Sequence, residues 1–259
     1  MATMTAYKPG TFCWVDLSTS DQKGAKTFYS KLFGWEAEDI PVAENTTYSM
    51  MKKNGKSAAA ISPQREKGTP TVWSSYVSVE NVDAAAKKAK SLGGSVVMEP
   101  MDVMTEGRMA VVKDPTGAYI SVWEPKKTAG AEIVNDPGAF VWNELLTTDV
   151  NKAQKFYGGL FDWKAESGDM PDGSNYTTLK NGDRPAGGLM AIRPEWGPMP
   201  PNWGVYFTVE DVDDSAARVR KLGGKVLAGP QDIPGTGRFA TCQDPQGGTF
   251  SIIEMTTQP

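Results

Sequence analysis

The chain has 259 residues, no histidine, two cysteines and a formal net charge of −4, with a pI near 5.1. An acidic chain whose Lys and Arg are scattered over helix surfaces argues against a nucleic-acid binder, which needs a basic stripe to displace counterions. The absence of His removes Ser-His-Asp and Cys-His catalysis and the HExxH zinc site. Cys13 and Cys242 are too few for a disulfide framework or a CxxC metal site, and read as small buried hydrophobes.

Read in chain order, MATMTAYKPG has no apolar h-region. No later run approaches transmembrane length, so a cytoplasmic protein with no membrane partner is expected. TFCWVDLS (11–18) alternates as a strand. TSDQKGAKTFYSKLFGW (19–35) then reads as a helix. Ser20 or Asp21 caps it, Ala25, Phe28, Tyr29 and Leu32 form its apolar stripe, and Gly34 ends it. TYSMMKKNG (47–55) and SAAAISP (57–63) are short strand-like runs. SSYVSVE (74–80) is a strand, VDAAAKKAKSLGG (82–94) a helix, and SVVMEPM, GRMAVVKDP and AYISVWEP are three further strands.

The whole pattern then returns. FCWVDLSTSD (12–21) reappears as FVWNELLTTD (140–149), and FYSKLFGW (28–35) as FYGGLFDW (156–163), each 128 positions on. VWSSYVSVENVD (72–83) reappears as NWGVYFTVEDVD (202–213), 130 positions on, and GRMAVVKDPTGAYISVWE (107–124) as GRFATCQDPQGGTFSIIE (237–254). The period is too long for a solenoid, so each copy is a domain. Domains over 9–126 and 137–257 are expected, joined by a Pro-, Gly- and charge-rich linker at 127–136. Each copy is a β-α-β-β-β module written twice, giving an α+β fold.

These motifs, namely the FYxxLF[GD]W helix, VE[ND]VD before an [AV]-rich helix ending in GG, and GRxAxxxDPxG, resemble the glyoxalase/bleomycin-resistance/extradiol-dioxygenase family, the vicinal-oxygen-chelate superfamily. The resemblance covers both copies and is closest to its tandem-domain glyoxalase-like members. It implies that each domain's two βαβββ modules form an open U-shaped barrel around a cleft; the duplication itself leads to the expectation that the two domains pair within one chain, itself a monomer or homodimer. Metal-using members carry ligands at positions matched here by Trp14 and Trp142, Ser74 and Gly204, and Ser121 and Ser251. An indole N–H cannot coordinate, and neutral serines are poor ligands. The resemblance therefore implies empty family metal sites, and no metal or cofactor is expected.

Strand parity carries the rest of the reading. If Trp14 faces the cleft, so does Asp16, and in the second copy Trp142 brings Glu144. A buried carboxyl there is either a general acid or base without His, or a cleft-shaping group paired to a donor. Tyr76, Tyr206, Tyr119 and Trp123 fall on the same face; they line a pocket or fill the barrel. Trp73 and Trp203 have the opposite parity and read as core. Arg108 and Arg238 follow a Gly at a strand start, where each either grips an anion or pairs with a nearby acid. DPTG and DPQG read as turns with no catalytic part. PEWGPMPPNW (194–203) is either a lid over the second cleft or a rigid loop.

Three functions are compatible with this reading. The first is a metal-free protein binding a small apolar or aromatic molecule. The second is a glyoxalase-like lyase or isomerase, metal-free with Asp16 or Glu144 as base, or with an unusual carboxylate metal site. The third is a non-catalytic interaction protein with filled clefts.

Overall fold

The computed structural model describes residues 3–170 and 173–256. Domain 1 runs β1 (Phe12–Thr19), α1 (Gln22–Phe33), β2 (Glu36–Ala43), β3 (Thr46–Lys53), β4 (Lys56–Pro63), then β5 (Val72–Ser78), α2 (Val82–Ser91), β6 (Ser95–Val103), β7 (Gly107–Lys113) and β8 (Tyr119–Pro125). Domain 2 repeats it as β9 (Phe140–Thr147), α3 (Val150–Phe161), β10 (Lys164–Asp169), β11 (Asn175–Asn181), β12 (Arg184–Ala191), β13 (Asn202–Thr208), α4 (Val212–Lys221), β14 (Lys225–Ile233), β15 (Gly237–Gln243) and β16 (Thr249–Met255). The four βαβββ modules are those expected. β2 and β10, the strands with the least apolar pattern, are exposed edges carrying Glu, Asp and Lys, which discourages edge-to-edge pairing.

Each domain forms one eight-stranded sheet, ordered β2-β3-β4-β1-β5-β8-β7-β6 in domain 1 and identically in domain 2. The sheets are mixed rather than antiparallel throughout. β4 returns beside β1 in parallel, and β8 beside β5, because a helix lies between the first strand of each module and its hairpins. The two modules meet through the antiparallel β1–β5 pair, which sets Trp14 opposite Tyr76 and Asp16 opposite Ser74. The sheet curls into an open half-barrel, and this seam is its floor.

Local chemistry fixes the helix ends. Asp21, not Ser20, caps α1 by accepting from the Gly24 N–H at 2.9 Å, and Gly34 closes it with φ +70°. Asp162 takes the matching left-handed position after α3, which Asp tolerates better than most residues. The helices and the convex sheet faces bury the core. Tyr29 and Phe33 of α1 pack on Phe250 and Phe207 of domain 2, and Trp73 lies 5.0 Å from Phe207. Phe12 of domain 1 meets Trp163 and Trp203 in the same way. Trp73 and Trp203 are thus core residues of the domain–domain contact. Cys13 and Cys242 are buried free thiols, as their small apolar character suggests.

The segment between the domains is not a loose tether. Ala131 and Ile133 are fully buried. The Ala131 N–H donates to the Cys13 carbonyl at 2.8 Å, where a bulge between Phe12 and Trp14 interrupts the ladder. Gly130 permits this approach: its φ is +145°, and a Cβ would stand 2.3 Å from that carbonyl oxygen. Among the described residues, no helix is long and apolar enough to cross a membrane.

Candidate functional site

The concave face of each sheet carries the candidate site. In domain 1, cross-strand partners place Trp14, Tyr76, Ser121, Val111 and Met98 in one row across β1, β5, β8, β7 and β6. Asp16 follows two residues after Trp14 and is flanked by Ser74 and Ala60. Strand parity therefore brings Trp14, Asp16, Ser74, Tyr76 and Ser121 to one surface.

Asp16 is the buried polar centre, only 8% exposed. Its Oδ2 accepts from Tyr76 Oη at 2.9 Å and from Tyr48 Oη at 3.1 Å. Trp14 Nε1–H donates to Tyr48 Oη at 2.9 Å. Ser74 lies across from Asp16 on β5, and Ser121 across from Tyr76 on β8. Burial pushes the Asp16 carboxyl up to about 6, with the two tyrosine hydroxyls, the Arg65 charge and Ser74 holding it below where burial alone would leave it. Burial, followed by the neighbouring carboxyl charge, drives Tyr48 and Tyr76 well above the usual phenol range. Both remain neutral donors.

Domain 2 repeats the arrangement one methylene longer. Tyr206 Oη donates to Glu144 Oε1 at 2.9 Å, and Trp142 Nε1–H donates to Tyr176 Oη at 3.0 Å, with Tyr176 helping to hold the carboxyl below where burial alone would leave it. Burial again raises the carboxyl. Gly188 stands where domain 1 has Ala60 and lies opposite Glu144. A Cβ there would come 1.8 Å from Tyr176 Oη, so the glycine makes room for the displaced phenol. Ser251 lies across from Tyr206 on β16, its Oγ 3.3 Å from Thr241 Oγ1.

Tyr48 and Tyr176 belong to the site although parity on their own short runs does not single them out. The available signal was the 128-position match of the two tyrosines, together with the need of a buried carboxylate for donors.

Other expected residues stand further off. Tyr119 is on the concave face but 53% exposed at its rim, with Lys113 Nζ 5.4 Å above the ring. Trp123 is buried, its Nε1–H donating to the Thr128 carbonyl at 2.9 Å. Arg108 and Arg238 are not cleft residues. In register they pair with Glu124 and Glu254, on the face opposite Ser121 and Ser251. Each bonds acids at the helix-bearing side, Arg108 with Asp83 and Asp102 and Arg238 with Asp213 and Asp232. The turn aspartates have a structural part beyond their turns. Asp114 Oδ1 accepts from the Thr116, Gly117 and Ala118 N–H groups, while its Oδ2 accepts from Tyr157 of the other domain at 2.9 Å.

As a donor set for a divalent ion each centre is poor: one carboxylate, two phenols that already donate to it, and an indole N–H. Among the described residues, no group of three or more His, Cys, Asp or Glu side chains is placed to hold a metal. The chemistry on offer is hydrogen bonding and proton exchange at one carboxyl set in an aromatic floor.

The model of the Glyoxalase/Bleomycin resistance protein/Dioxygenase superfamily matches residues 11–122 and 139–252. The chain belongs to this superfamily. A protein of Mycobacterium tuberculosis named "Putative glyoxylase CFP32" is 42% identical over the full length of both chains. "Anthracycline biosynthesis protein DauV" of Streptomyces sp. strain C5 is 34% identical over 97% of this chain and 96% of its own. Among solved structures, the Mn(II)-bound glyoxalase from Novosphingobium aromaticivorans superposes with a TM-score of 0.67 at 17% identity, covering 97% of this chain and 86% of that one. The 2,3-dioxygenase LapB from Pseudomonas sp. KL28 gives 0.66 at 14% identity, with 96% and 93% covered. At these identities the superfamily structures share the fold alone.

Proposed function

We propose that this protein is a small-molecule-binding member of the superfamily that works without the superfamily's metal ligands and takes an apolar or aromatic molecule on its concave faces. The observation that carries this reading is the repeated Trp–Tyr–carboxyl–Tyr group sunk into an aromatic floor. Apolar walls around a few fixed donors suit small ligands, and the similarity to proteins named for anthracycline biosynthesis supports an aromatic one. A thermal-shift panel of aromatic and apolar compounds on untagged protein, followed by calorimetric titration of any hit, tests it. Saturable binding at one or two sites per chain is expected. A panel without a hit sinks the reading, and one tightly held metal ion per domain, found by elemental analysis, would replace it with a metalloenzyme.

One observation favours a second, catalytic reading. A carboxyl titrating near 6 is placed to take or give a proton near neutral pH, and the CFP32 relative is named as a glyoxylase. On that reading Asp16→Asn abolishes turnover while the fold persists; activity that survived Asp16→Asn and Glu144→Gln together would remove both carboxyls from the chemistry.

A further inference from the structure

The two clefts differ at their mouths. Arg65 and Arg193 are 128 positions apart, each two residues beyond the strand that flanks the carboxyl-bearing strand. Their surroundings have diverged. Arg193 is drawn to its own side of the sheet: Nη2 donates to Ser174 Oγ at 2.7 Å, Glu195 is 3.9 Å away, and the guanidinium lies 5.3 Å from the centre of the Trp196 ring. The positions matching Glu195 and Trp196 in domain 1 are Lys67 and Gly68. Neither can pair with or stack on a guanidinium.

Arg65 instead reaches across. Its Nη1 is 3.3 Å from Met98 Sδ. Met98 sits on β6, at the opposite end of the sheet order from β4, in the concave row that contains Tyr76 and Ser121. A side chain that leaves the end of β4 and touches β6 bridges the two arms of the U. Its positive charge is felt at Asp16 and Tyr76. Arg65 forms no ion pair with any described carboxylate, whereas Arg108, Arg193 and Arg238 all do. A thioether is a weak acceptor for a guanidinium, so this cation keeps most of its capacity for a bidentate bond.

We propose that cleft 1 takes an organic anion: a flat or apolar molecule whose carboxylate or sulfonate is held by Arg65 at the mouth, with its body on Met98, Val111 and Tyr76. Cleft 2, whose arginine is already engaged, does not. This proposal rests on the small-molecule-binding reading and adds the ligand's charge and the choice of cleft.

Two fluorescent probes with the same rings separate the claims: 1-anilinonaphthalene-8-sulfonate, and N-phenyl-1-naphthylamine, which lacks the sulfonate. Each is titrated into full-length protein and three variants. Arg65→Gln sits on an exposed loop residue and leaves the core untouched. Ser121→Leu fills the floor of cleft 1, and Ser251→Leu that of cleft 2. The wild type is expected to favour the sulfonate by about tenfold, the factor that about 1.4 kcal/mol supplies. Arg65→Gln removes that preference with the neutral probe unchanged, Ser121→Leu removes both probes, and Ser251→Leu changes neither. If Ser121→Leu removes both probes but Arg65→Gln keeps the preference, the anion assignment is wrong and the binding reading stands. If neither probe binds the wild type, or both still bind Ser121→Leu at full affinity, the cleft itself is not the site and the proposal falls with it.

Discussion

The hydroxyl of Tyr29, in the first helix of domain 1, donates to the Asp244 carboxylate of domain 2 at 2.9 Å and accepts from Trp73 Nε1–H at 3.0 Å. Tyr157 repeats the arrangement in the other direction, bonding Asp114 at 2.9 Å and accepting from Trp203 at 2.8 Å. Two buried phenols thus tie each domain's helix to the other domain's turn, in the middle of the shared aromatic core.

Removing either hydroxyl strands an indole donor and a carboxylate oxygen together. Tyr29→Phe should cost about 1–3 kcal/mol, the range for leaving buried partners unsatisfied, and Tyr157→Phe a similar amount. Urea unfolding monitored by circular dichroism reads this directly. A loss below about 0.5 kcal/mol, the spread of ordinary surface changes, would show that the bonds are not holding the domains.

Asp16 gives stability a pH dependence of its own. Its carboxyl is raised from 3.8 to about 6 in the folded chain, so the folded state binds the proton more tightly than the unfolded one. The stabilisation is fully present below pH 3.8 and is lost as the pH rises through about 6. A shift of this size is worth about 3 kcal/mol. Asp16→Asn should therefore show a smaller drop in unfolding free energy between pH 4.5 and pH 8 than the wild type. Parallel curves for the two proteins would show that Asp16 ionises as freely as an exposed carboxylate.

Gly188 is a test of the second site. A methyl at this position meets Tyr176 Oη, the ring behind it and Trp142 Nε1. Gly188→Ala should push Tyr176 off Glu144 and off the indole, at a cost of about 1–3 kcal/mol for overpacking, with a shifted Trp emission. Ala60→Gly, the matching change in domain 1, removes a methyl and leaves the Tyr48–Asp16 bond in place. Equal effects of the two changes would contradict the asymmetry.

Gly130 tests the docking of the interdomain segment. Gly130→Ala must resolve a 2.3 Å approach to the Cys13 carbonyl from a backbone at φ +145°, so a loss of more than about 2 kcal/mol is expected from strain and the broken Ala131 bond. The sharper readout is proteolysis: cleavage within 125–138 should become fast in the variant and stay slow in the wild type. Rapid cleavage of the wild type there would show the segment to be open.

The architecture was legible because the chain states it twice. Two offsets, 128 and 130, matched β1, α1, β5, β7 and β8 to their counterparts, while the polar β2 left no apolar pattern to read; period-two parity paired Trp14 with Asp16 and Ser74 with Tyr76, and the family resemblance joined these strands and Ser121 into one face. Parity within a strand did not reach Tyr48, which lies two strands away from Asp16 in the sheet order and touches it only through the length of its side chain. Arg108 was ambiguous for a related reason. Its face depends on hairpin register with β8, which a Gly-led strand start does not fix. The aspartates of the DPTG and DPQG turns read correctly as turn formers, yet half of each carboxylate works across the domain boundary, and no local pattern encodes a partner more than 40 residues away.

Fusing the copies also changes what selection can do with them. In an assembly of two identical subunits every substitution appears at both sites, so an improvement in one cleft is imposed on the other. Here the helices and turns that join the copies keep their matched residues, Tyr29 with Tyr157 and Asp244 with Asp114, while the concave faces have drifted: Asp against Glu, Ala against Gly, a bridging arginine against a stacked one. A single chain with two non-identical clefts can keep one for its ligand and let the other serve as scaffold, a division of labour that a symmetric pair cannot make.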